Sequence, residues 1–538
     1  MGDGDRGKMM GKKSKAVIIF FGVFLLYAST IPGNHTEAED VFDYAWEIEN
    51  HQVSELFYSS HLIYHPLMKV VFSAAEFCGY DGRVYPLMIG FSLLCGALTI
   101  ALFYLLLSRI SNVFTTGSVP ISIFHLPLFL AFSYNFWRYS CEGEVYIPAL
   151  AATVLSLWVI VRSDLSARRV VFGGVLAAFA VLMHIANAAF AIVAMPLYYL
   201  FRKRFKLAAL HLVVTGLFLM TVFGGIALSC GFQKGSPLRN QPAEAGFQMA
   251  NLARGGVAFG QCVASGNFLF ASSRFRDWIQ KEYPYRMLGE EVFMGEQASP
   301  LRFWSSSVTL LTLAIVLSAL AFFVFKERRD VRNFFCRQSA LLALLTVWMA
   351  VYVAVMLVLE PGNPEIWIML LLPFWLGTSL LTASLMWIRS GRYLLYAGVI
   401  VLLAHNWLGG MAMIQDEHGD YNQQKADWVI KNAQKGDIVL TAENPVFYFY
   451  LRYYCDGEVI NLNHLGKCAS GELLQRVETA EGRVYALADT FDPPRALLEH
   501  FPEQRDKLSR FGAELLPHFR LLKDNRFDGV YEFNAMGR

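Results

Sequence analysis

The sequence predicts a polytopic α-helical membrane protein of about eleven spans with a small extracytoplasmic α/β domain at its carboxyl terminus. Three observations predict this class. Of the 538 residues, 55% are hydrophobic and only 17% are charged, which is little charge for a soluble chain. The apolar residues come in runs of about 20, the length that crosses a bilayer as a helix. Beyond about residue 415, short apolar strand patterns alternate with helical ones.

Eleven apolar segments are predicted to span the membrane. They are 16–32, 84–108, 118–134, 144–161, 170–183, 185–201, 207–230, 304–325, 339–359, 365–388 and 392–413. The first is not a cleavable signal, because no small-residue cleavage site follows it. The stretch 170–201 holds no acid or base except His184, and one tilted helix could contain it. Two short helices that meet near His184 are predicted instead, because only they keep the basic loops on one side.

Lysine and arginine cluster in alternate loops, which predicts a cytoplasmic amino terminus. The basic segments are 6–15, 109, 162–169, 202–206, 326–337 and 389–392. The opposite, outer loops are then 33–83, 135–143 and 232–303. Residues 1–414 form the predicted transmembrane domain and 415–538 the extracytoplasmic domain. The membrane would be a bacterial inner membrane, or the endoplasmic reticulum in a eukaryote.

The tail after residue 414 has the pattern of a small α/β domain. Strands are predicted at 437–441, 458–461 and 483–487, and helices at 445–453, 471–478 and 494–511. The tail contains no glycine-rich phosphate loop, so no cofactor is assigned to it. Cys455 and Cys468 form either a disulfide or two free thiols. The net charge of +2 gives no indication of nucleic-acid binding.

An acidic pair, Glu39 and Asp40, lies just beyond the first span. On a helix, residues three and four apart share a face. One face of the predicted helix carries Asp40, Asp43 and Glu47, and another face carries Phe42, Trp46 and Glu49. This pattern predicts a helix lying on the membrane surface with its aromatic groups at headgroup level. Most acids of this loop are expected to be solvated charges, and Asp40 is the better candidate for chemistry.

The same outer loop continues with a run of histidine and tyrosine, namely His61, Tyr64 and His65, which ends at Pro66. A second apolar stretch, 67–77, follows it. The histidines are either packing residues or ligand-binding ones, and His65 before proline is also a plausible turn residue.

A second acidic cluster, Glu142-Gly143-Glu144, opens the fourth span on the same side of the membrane. Negative charge is favourable at a helix amino terminus, which explains one glutamate more easily than two. Arg138 lies close by in the sequence and would either pair with a carboxylate or hold a phosphate. Ionisable groups at membrane depth are costly and usually functional.

This arrangement resembles the GT-C superfamily of membrane glycosyltransferases, in particular protein O-mannosyltransferases and the lipid A aminoarabinose transferase. Members share an acidic motif and surface helices in the first outer loop, and a second acidic motif in the second outer loop. Glu39-Asp40 and Glu142-Gly143-Glu144 stand at those places, and the run Tyr44 to Pro66 is similar to the bacterial-type first loop. The first motif is Glu-Asp rather than Asp-Glu or Asp-Asp. The WWD-type motif of oligosaccharyltransferases is absent from the tail, which disfavours that subclass.

The resemblance implies an inverting transfer from a polyprenyl-phosphate sugar to a hydroxyl of a glycan, lipid or protein acceptor. Asp40 would be the general base, with Glu39 and Asp43 as fallbacks. Arg138, His61 and arginines of the 232–303 loop would stabilise the departing lipid phosphate. Glu142 and Glu144 would hold acceptor hydroxyls, or a Mg²⁺ or Mn²⁺ ion together with Asp40. His65 and Tyr64 complete the predicted substrate contacts.

Members of the superfamily differ in their need for a metal, so the resemblance leaves metal use open. Rival functions are a transporter or flippase of a lipid-linked glycan, a non-catalytic membrane scaffold, and a ligase that uses undecaprenyl-diphosphate glycans. No internal repeat of the transporter kind is evident.

Three further features of the sequence also lead to predictions. The 70-residue outer loop before the eighth span is long enough to expect a role over the active site. Glu365 is expected to be a dipole-compatible acid at a helix start. His184 and Asn187 are expected to form a satisfied buried pair rather than to face a cavity.

Overall fold

The structure is a computed structural model. It describes residues 3–35, 40–111, 123–161, 165–230, 249–282, 299–326, 339–382, 385, 389–463, 470–493, 505–524 and 529–533. Glu39, half of the predicted first motif, lies outside these residues, and so does Cys468.

The amino-terminal part of the chain is built from helices joined by turns and short irregular segments. Its helices are α1 (Asp3–Ala28), α2 (Val41–Asn50), α3 (Tyr64–Phe77), α4 (Tyr85–Ser111), α5 (Leu126–Ala131), α6 (Tyr134–Ser140), α7 (Tyr146–Ile160), α8 (Ala167–Met183), α9 (Met195–Phe201) and α10 (Phe205–Ser229). The first outer loop thus contributes two helices, α2 and α3. The predicted third span is helical over α5 alone in its described part, since residues 112–122 lie outside.

The remaining helices of the body are α11 (Met249–Val263), α12 (Ser273–Glu282), α13 (Pro300–Lys326), α14 (Ser339–Leu359), α15 (Ile368–Thr382) and α16 (Arg389–Asn406). A π-helical turn, Trp407–Met411, and a last turn, Ala412–Ile414, extend α16. Five helices in the described part are long and apolar enough to cross a membrane, and three shorter apolar helices accompany them. The protein is a multi-pass membrane protein.

The apolar stretch 170–201 is interrupted at His184, as the sequence analysis predicts. Helix α8 ends at Met183, and short 3-10 and π-helical turns lead into α9. The break is tied to the first outer loop, because Ile185 donates its N–H to the Ser60 carbonyl at 2.8 Å and Ile63 donates to the Leu182 carbonyl at 3.2 Å. Two short helices therefore meet beside the outer loop.

The basic ends of different helices lie together at one end of the bundle. Lys12 donates to the Ser108 carbonyl at 3.2 Å. Arg109 donates to the Trp158 carbonyl, and its guanidinium lies 4.5 Å from the Trp158 ring centre. At the other end, Trp137 donates to the Thr30 hydroxyl at 2.8 Å. This grouping agrees with the predicted loop sides, and the cytoplasmic placement of the basic end stays a prediction.

The tail folds around one five-stranded sheet. Its elements are α17 (Tyr421–Asn432), β1 (Ile438–Thr441), α18 (Pro445–Tyr454), β2 (Glu458–Asn461), α19 (Ser470–Glu478), β3 (Val484–Leu487), α20 (Arg505–Leu515), β4 (Phe519–Asp524) and β5 (Gly529–Phe533). The strand order is β2-β1-β3-β5-β4. The first three strands are parallel, β5 runs antiparallel to β3, and β4 runs antiparallel to β5. Three strands were predicted, and the hairpin β4–β5 was missed.

Helix α18 joins the tail to the helical body. Its buried residues Phe447, Leu451 and Tyr453 belong to the same continuous core as Phe42 and Ile48 of α2. The opposite face of the sheet has a separate core, which includes Leu440, Ile460 and Leu508. The α/β unit is therefore packed onto the first outer loop through α18, and Asp420 and Asn422 at the start of α17 add hydrogen bonds with His35.

Candidate functional site

The first part of the site is the acidic face of α2. Asp40 stands at the N-cap position, but its carboxylate makes no capping hydrogen bond to the backbone. Instead its Oδ2 accepts a hydrogen bond from the Tyr44 hydroxyl at 3.1 Å. This hydrogen bond fixes the orientation of the Asp40 carboxylate on the Tyr44 side.

The other two acids of that face have different surroundings. Asp43 Oδ1 lies 2.5 Å from Nη2 of Arg452, which comes from α18. Burial raises the pKa of Glu47 above its ordinary value, and a hydrogen bond with Tyr58 and the charge of Arg452 offset part of that rise. A nearby cation makes a carboxylate a weaker base, and Arg452 is such a cation for Asp43.

A cluster of rings lies against the acidic face. Tyr44 contacts His65 edge to face, with ring centres 4.6 Å apart, and it lies 5.3 Å from His61. The two histidine rings are 4.7 Å apart, and Tyr58 packs on both of them at 5.6 and 5.0 Å. His61 and His65 are both buried. The predicted histidines and Asp40 therefore contact one residue in common, Tyr44.

The second acidic motif is buried beneath the first loop. Glu142 Oε1 accepts from Nε of Arg138 at 3.0 Å, and both side chains are almost fully buried. Arg138 therefore pairs with a carboxylate, one of its two predicted roles. The Tyr64 hydroxyl donates to the Gly143 carbonyl at 2.5 Å, and Glu144 is fully buried.

The two motifs meet at Gly143. A Cβ atom added there would lie 2.8 Å from Met88 Cβ and 2.9 Å from Val41 Cγ2, closer than carbon atoms approach without a shift. Val41 directly follows Asp40. The missing side chain of Gly143 thus lets the second outer loop lie against the start of α2, beside the candidate base.

The fold of the whole chain resembles solved structures of membrane proteins. A crystal structure of ArnT from Cupriavidus metallidurans bound to undecaprenyl phosphate matches with a TM-score of 0.50 and 12% identity, and the match covers 98% of each chain. The chain has the GT-C fold. A crystal structure of the Archaeoglobus fulgidus oligosaccharyltransferase in complex with zinc and sulfate matches at 13% identity and TM-score 0.46, over 89% of this chain and 68% of that one. Models of known protein families and curated protein sequences gave no match.

Glu365, predicted only as a dipole-compatible acid at a helix start, is buried in the turn before α15. It lies near the phenol of Tyr146, as do Glu144 and Tyr44. A third outer turn therefore brings a carboxylate towards the second acidic motif. The available signal was an acid at the mouth of a span, the same signal that identified Glu142 and Glu144.

His184 and Asn187 lie at the break between α8 and α9. Asn187 is buried, accepts from Thr153 Oγ1 at 2.9 Å and donates to the Ala180 carbonyl at 3.1 Å. His184 accepts from the Ala186 N–H at 3.2 Å and packs on Tyr146 with ring centres 4.8 Å apart. Asn187 is thus a satisfied buried residue, as expected, and His184 borders the site through Tyr146.

The described part of the long outer loop is built into the body. Asn251 of α11 donates to the Leu357 carbonyl at 2.9 Å. Asn135 of α6 donates to Cys262 Sγ at 3.3 Å, and this thiol donates to the Pro364 carbonyl at 2.9 Å. Helix α11 therefore touches both α6, which carries Arg138, and the turn that carries Glu365. The prediction that this loop covers the site is compatible with these contacts.

The residues predicted to hold a metal do not fit one. Among the described residues, no group of three or more histidine, cysteine, aspartate or glutamate side chains has the geometry to bind a metal ion. Asp40, Glu142 and Glu144 are therefore not gathered as metal ligands. In the tail, Cys455 is a free thiol.

Proposed function

We propose that the protein is an inverting glycosyltransferase that moves a sugar from a polyprenyl-phosphate donor to an acceptor hydroxyl. The reaction takes place at the extracytoplasmic face of the membrane, and Asp40 is the general base. The donor is a lipid, so the substrate reaches the site from the bilayer.

The observation that carries this function is the packing of Gly143 against Val41 in a GT-C fold. The backbone between Glu142 and Glu144 lies there against Val41, the residue after Asp40, so the two acidic motifs come from different loops to one region of the fold. The ArnT structure that shares this fold is bound to undecaprenyl phosphate, which is a polyprenyl phosphate. Carboxylates in such a region can accept a proton from an acceptor hydroxyl and hydrogen bonds from its neighbours.

Asp40 is the preferred base because it stands at the start of α2 and its carboxylate accepts a hydrogen bond from the Tyr44 hydroxyl, whereas Asp43 faces the guanidinium of Arg452. In the reaction Asp40 takes the proton of the acceptor hydroxyl. The acceptor oxygen then attacks the anomeric carbon from the face opposite the phosphate. The bond from that carbon to the phosphate oxygen breaks, and the lipid phosphate leaves with the electron pair, so the configuration inverts.

The remaining predicted residues have supporting roles. Glu142 and Glu144 accept hydrogen bonds from acceptor hydroxyls, and Arg138 orients Glu142 through their 3.0 Å contact. His61 and His65 lie beside Asp40 through Tyr44 and stabilise the leaving phosphate by hydrogen bonding.

The test is Asp40→Asn in the full-length protein reconstituted in nanodiscs. The substrates are a panel of undecaprenyl-phosphate-linked monosaccharides, and the readouts are released undecaprenyl phosphate and transferred sugar by mass spectrometry. Loss of a general base lowers kcat by about 10²–10⁴-fold, with KM nearly unchanged. The matched control is Asp427→Asn, an exposed carboxylate paired with Lys431 on the tail.

Transfer by Asp40→Asn within about threefold of wild type would show that Asp40 is not the base. If the wild-type protein moves labelled lipid across liposomes without any transfer, the function is transport. If neither transfer nor movement occurs with any donor, the scaffold function replaces the enzyme.

A further inference from the structure

The α/β unit places a guanidinium on the acidic face of α2. Arg452 of α18 lies with Nη2 2.5 Å from Asp43 Oδ1. The same guanidinium carbon is 3.8 Å from the ring centre of Trp46 and 5.5 Å from that of Tyr448. A charge-assisted hydrogen bond on one side and aromatic faces on the other fix the position of the cation.

The contact between Arg452 and Asp43 is shielded from solvent. The two side chains are 20% and 15% exposed. A second pair in the same unit, Arg476 and Glu458, has the same nitrogen–oxygen distance of 2.5 Å, but its side chains are 51% and 53% exposed. Ion pairs in water contribute little, whereas partly buried ones interact more strongly. The chain thus supplies both a shielded pair and a matched exposed pair.

Further contacts fix α18 on α2 beside this pair. The Tyr453 hydroxyl donates to Glu49 Oε1 at 2.9 Å, and Arg83 bridges the Tyr453 carbonyl at 2.7 Å and Glu49 Oε2 at 2.9 Å. Phe42 is fully buried and lies 5.1 Å from the Tyr450 ring. Arg452 is therefore held by a packed seam rather than by a mobile loop.

We propose that Arg452 is a positioning residue for the transfer reaction, supplied by the α/β unit to the acidic face of α2. It orients that face so that Asp40, one turn before Asp43, meets the acceptor hydroxyl. This inference rests on the proposed glycosyl transfer, and it gives the α/β unit a part in that reaction. Arg452 itself touches no reacting atom.

Removal of the Arg452 guanidinium takes one positive charge away from the acidic face of α2. The titratable and charged groups around Glu47 and Arg452 are Asp40 and His51, which flank α2, Asp43 and Glu47 of α2, Tyr58 of the following segment, and Arg452 of α18. Without the guanidinium, Asp43 loses this positive partner on the same helix face as Asp40, and like charges raise the pKa of each other. The base is then protonated up to a higher pH, so the acid limb of the kcat profile moves to higher pH.

The experiment compares Arg452→Gln, Arg452→Lys and the control Arg476→Gln in the full-length reconstituted protein. The substrate is the undecaprenyl-phosphate sugar that the wild-type protein turns over. For Arg452→Gln we expect kcat to fall by about tenfold or more, with KM for the donor nearly unchanged and the acid limb shifted to higher pH. Arg452→Lys keeps the charge but not the planar contact with Trp46, so it recovers part of kcat and most of the pH profile.

Hydrogen exchange of residues 41–50 gives a second readout that needs no activity. Exchange should rise in Arg452→Gln and stay at the wild-type level in Arg476→Gln. If Arg452→Gln matches Arg476→Gln in kcat, pH profile and exchange, the inference is overturned while the proposed function stands. If the wild-type protein transfers no sugar, the proposed function fails, and exchange alone decides whether Arg452 positions α2. A loss of activity without a pH shift or lysine recovery would show a merely structural role and would also overturn it.

Discussion

The contact of Gly143 with Val41, the residue after Asp40, depends on the absence of a side chain at Gly143, so Gly143→Ala tests the proposed site most directly. The added methyl would lie 2.8 Å from Met88 Cβ and 2.9 Å from Val41 Cγ2. Met88 Cβ is attached to the backbone of α4 and cannot rotate away. The second outer loop must therefore move relative to α2 and α4.

The size of that movement follows from contact distances. Carbon atoms pack at about 3.5–4.0 Å, so the loop has to retreat by roughly 1 Å. Overpacking of this kind costs about 1–3 kcal/mol of stability. A displacement of roughly 1 Å between catalytic groups can lower the rate by about 10²-fold, because it separates Glu142 and Glu144 from Asp40. The expected loss of activity is thus larger than the loss of folded protein.

The assay is transfer from the active undecaprenyl-phosphate sugar, measured beside the thermal unfolding midpoint in detergent. The matched control is Gly90→Ala on α4, where an added Cβ has nothing within 4 Å. Gly143→Ala should lose activity and some stability, and Gly90→Ala should lose neither. If Gly143→Ala keeps both the wild-type rate and the wild-type midpoint, the packing of the two motifs does not matter for the reaction.

Two further predictions concern buried charge. Lys425 lies 2.5 Å from Glu443 and 2.7 Å from Asp489, and all three side chains are buried. Lys425→Met leaves the two carboxylates without this cation and should lower the free energy of unfolding, measured by chemical denaturation, by about 3–5 kcal/mol. Lys431→Met, at an exposed ion pair, is the control and should cost much less. Burial raises the pKa of Glu47 in the folded protein above 4.5. A carboxyl whose pKa is higher in the folded state than in the unfolded state stabilises the fold at low pH, and this stabilisation is lost as the pH rises through the folded-state pKa. The unfolding midpoint of the wild type should therefore fall relative to Glu47→Gln as the pH rises from about 4 to about 8, and parallel curves would contradict this.

Much of the helical body could be predicted, because a bilayer imposes strong constraints. Runs of about 20 apolar residues and the distribution of basic residues determine which segments are helical and which loops share a side. The break at His184 followed from the same charge argument, and α8 indeed ends at Met183. Three parallel strands of the tail were found for a related reason, since β1 and β3 are buried along their whole length.

The hairpin β4–β5 was missed because its sequence carries little of that signal. Strand β4 lies at the edge of the sheet and is exposed along almost all of its length. An edge strand without a buried face shows no alternation of apolar and polar residues. The site was predicted in part for a similar reason. Acids at the mouths of spans identify candidate residues, but the contact of Gly143 with Val41 depends on packing between loops about 100 residues apart.

The aromatic face of α2 shows where an amphipathic pattern is ambiguous. Its aromatic groups were predicted to lie at the lipid headgroups, but Phe42 is fully buried against the tyrosines of α18. The prediction was wrong for Phe42 because an apolar helix face can pack against either lipid or protein. One residue of that face distinguishes the two, since Glu49 shares it and accepts hydrogen bonds from Arg83, Tyr453 and the N–H of Val84. Acyl chains offer a carboxylate no donors, so a glutamate on an aromatic face indicates a protein partner with polar groups of its own.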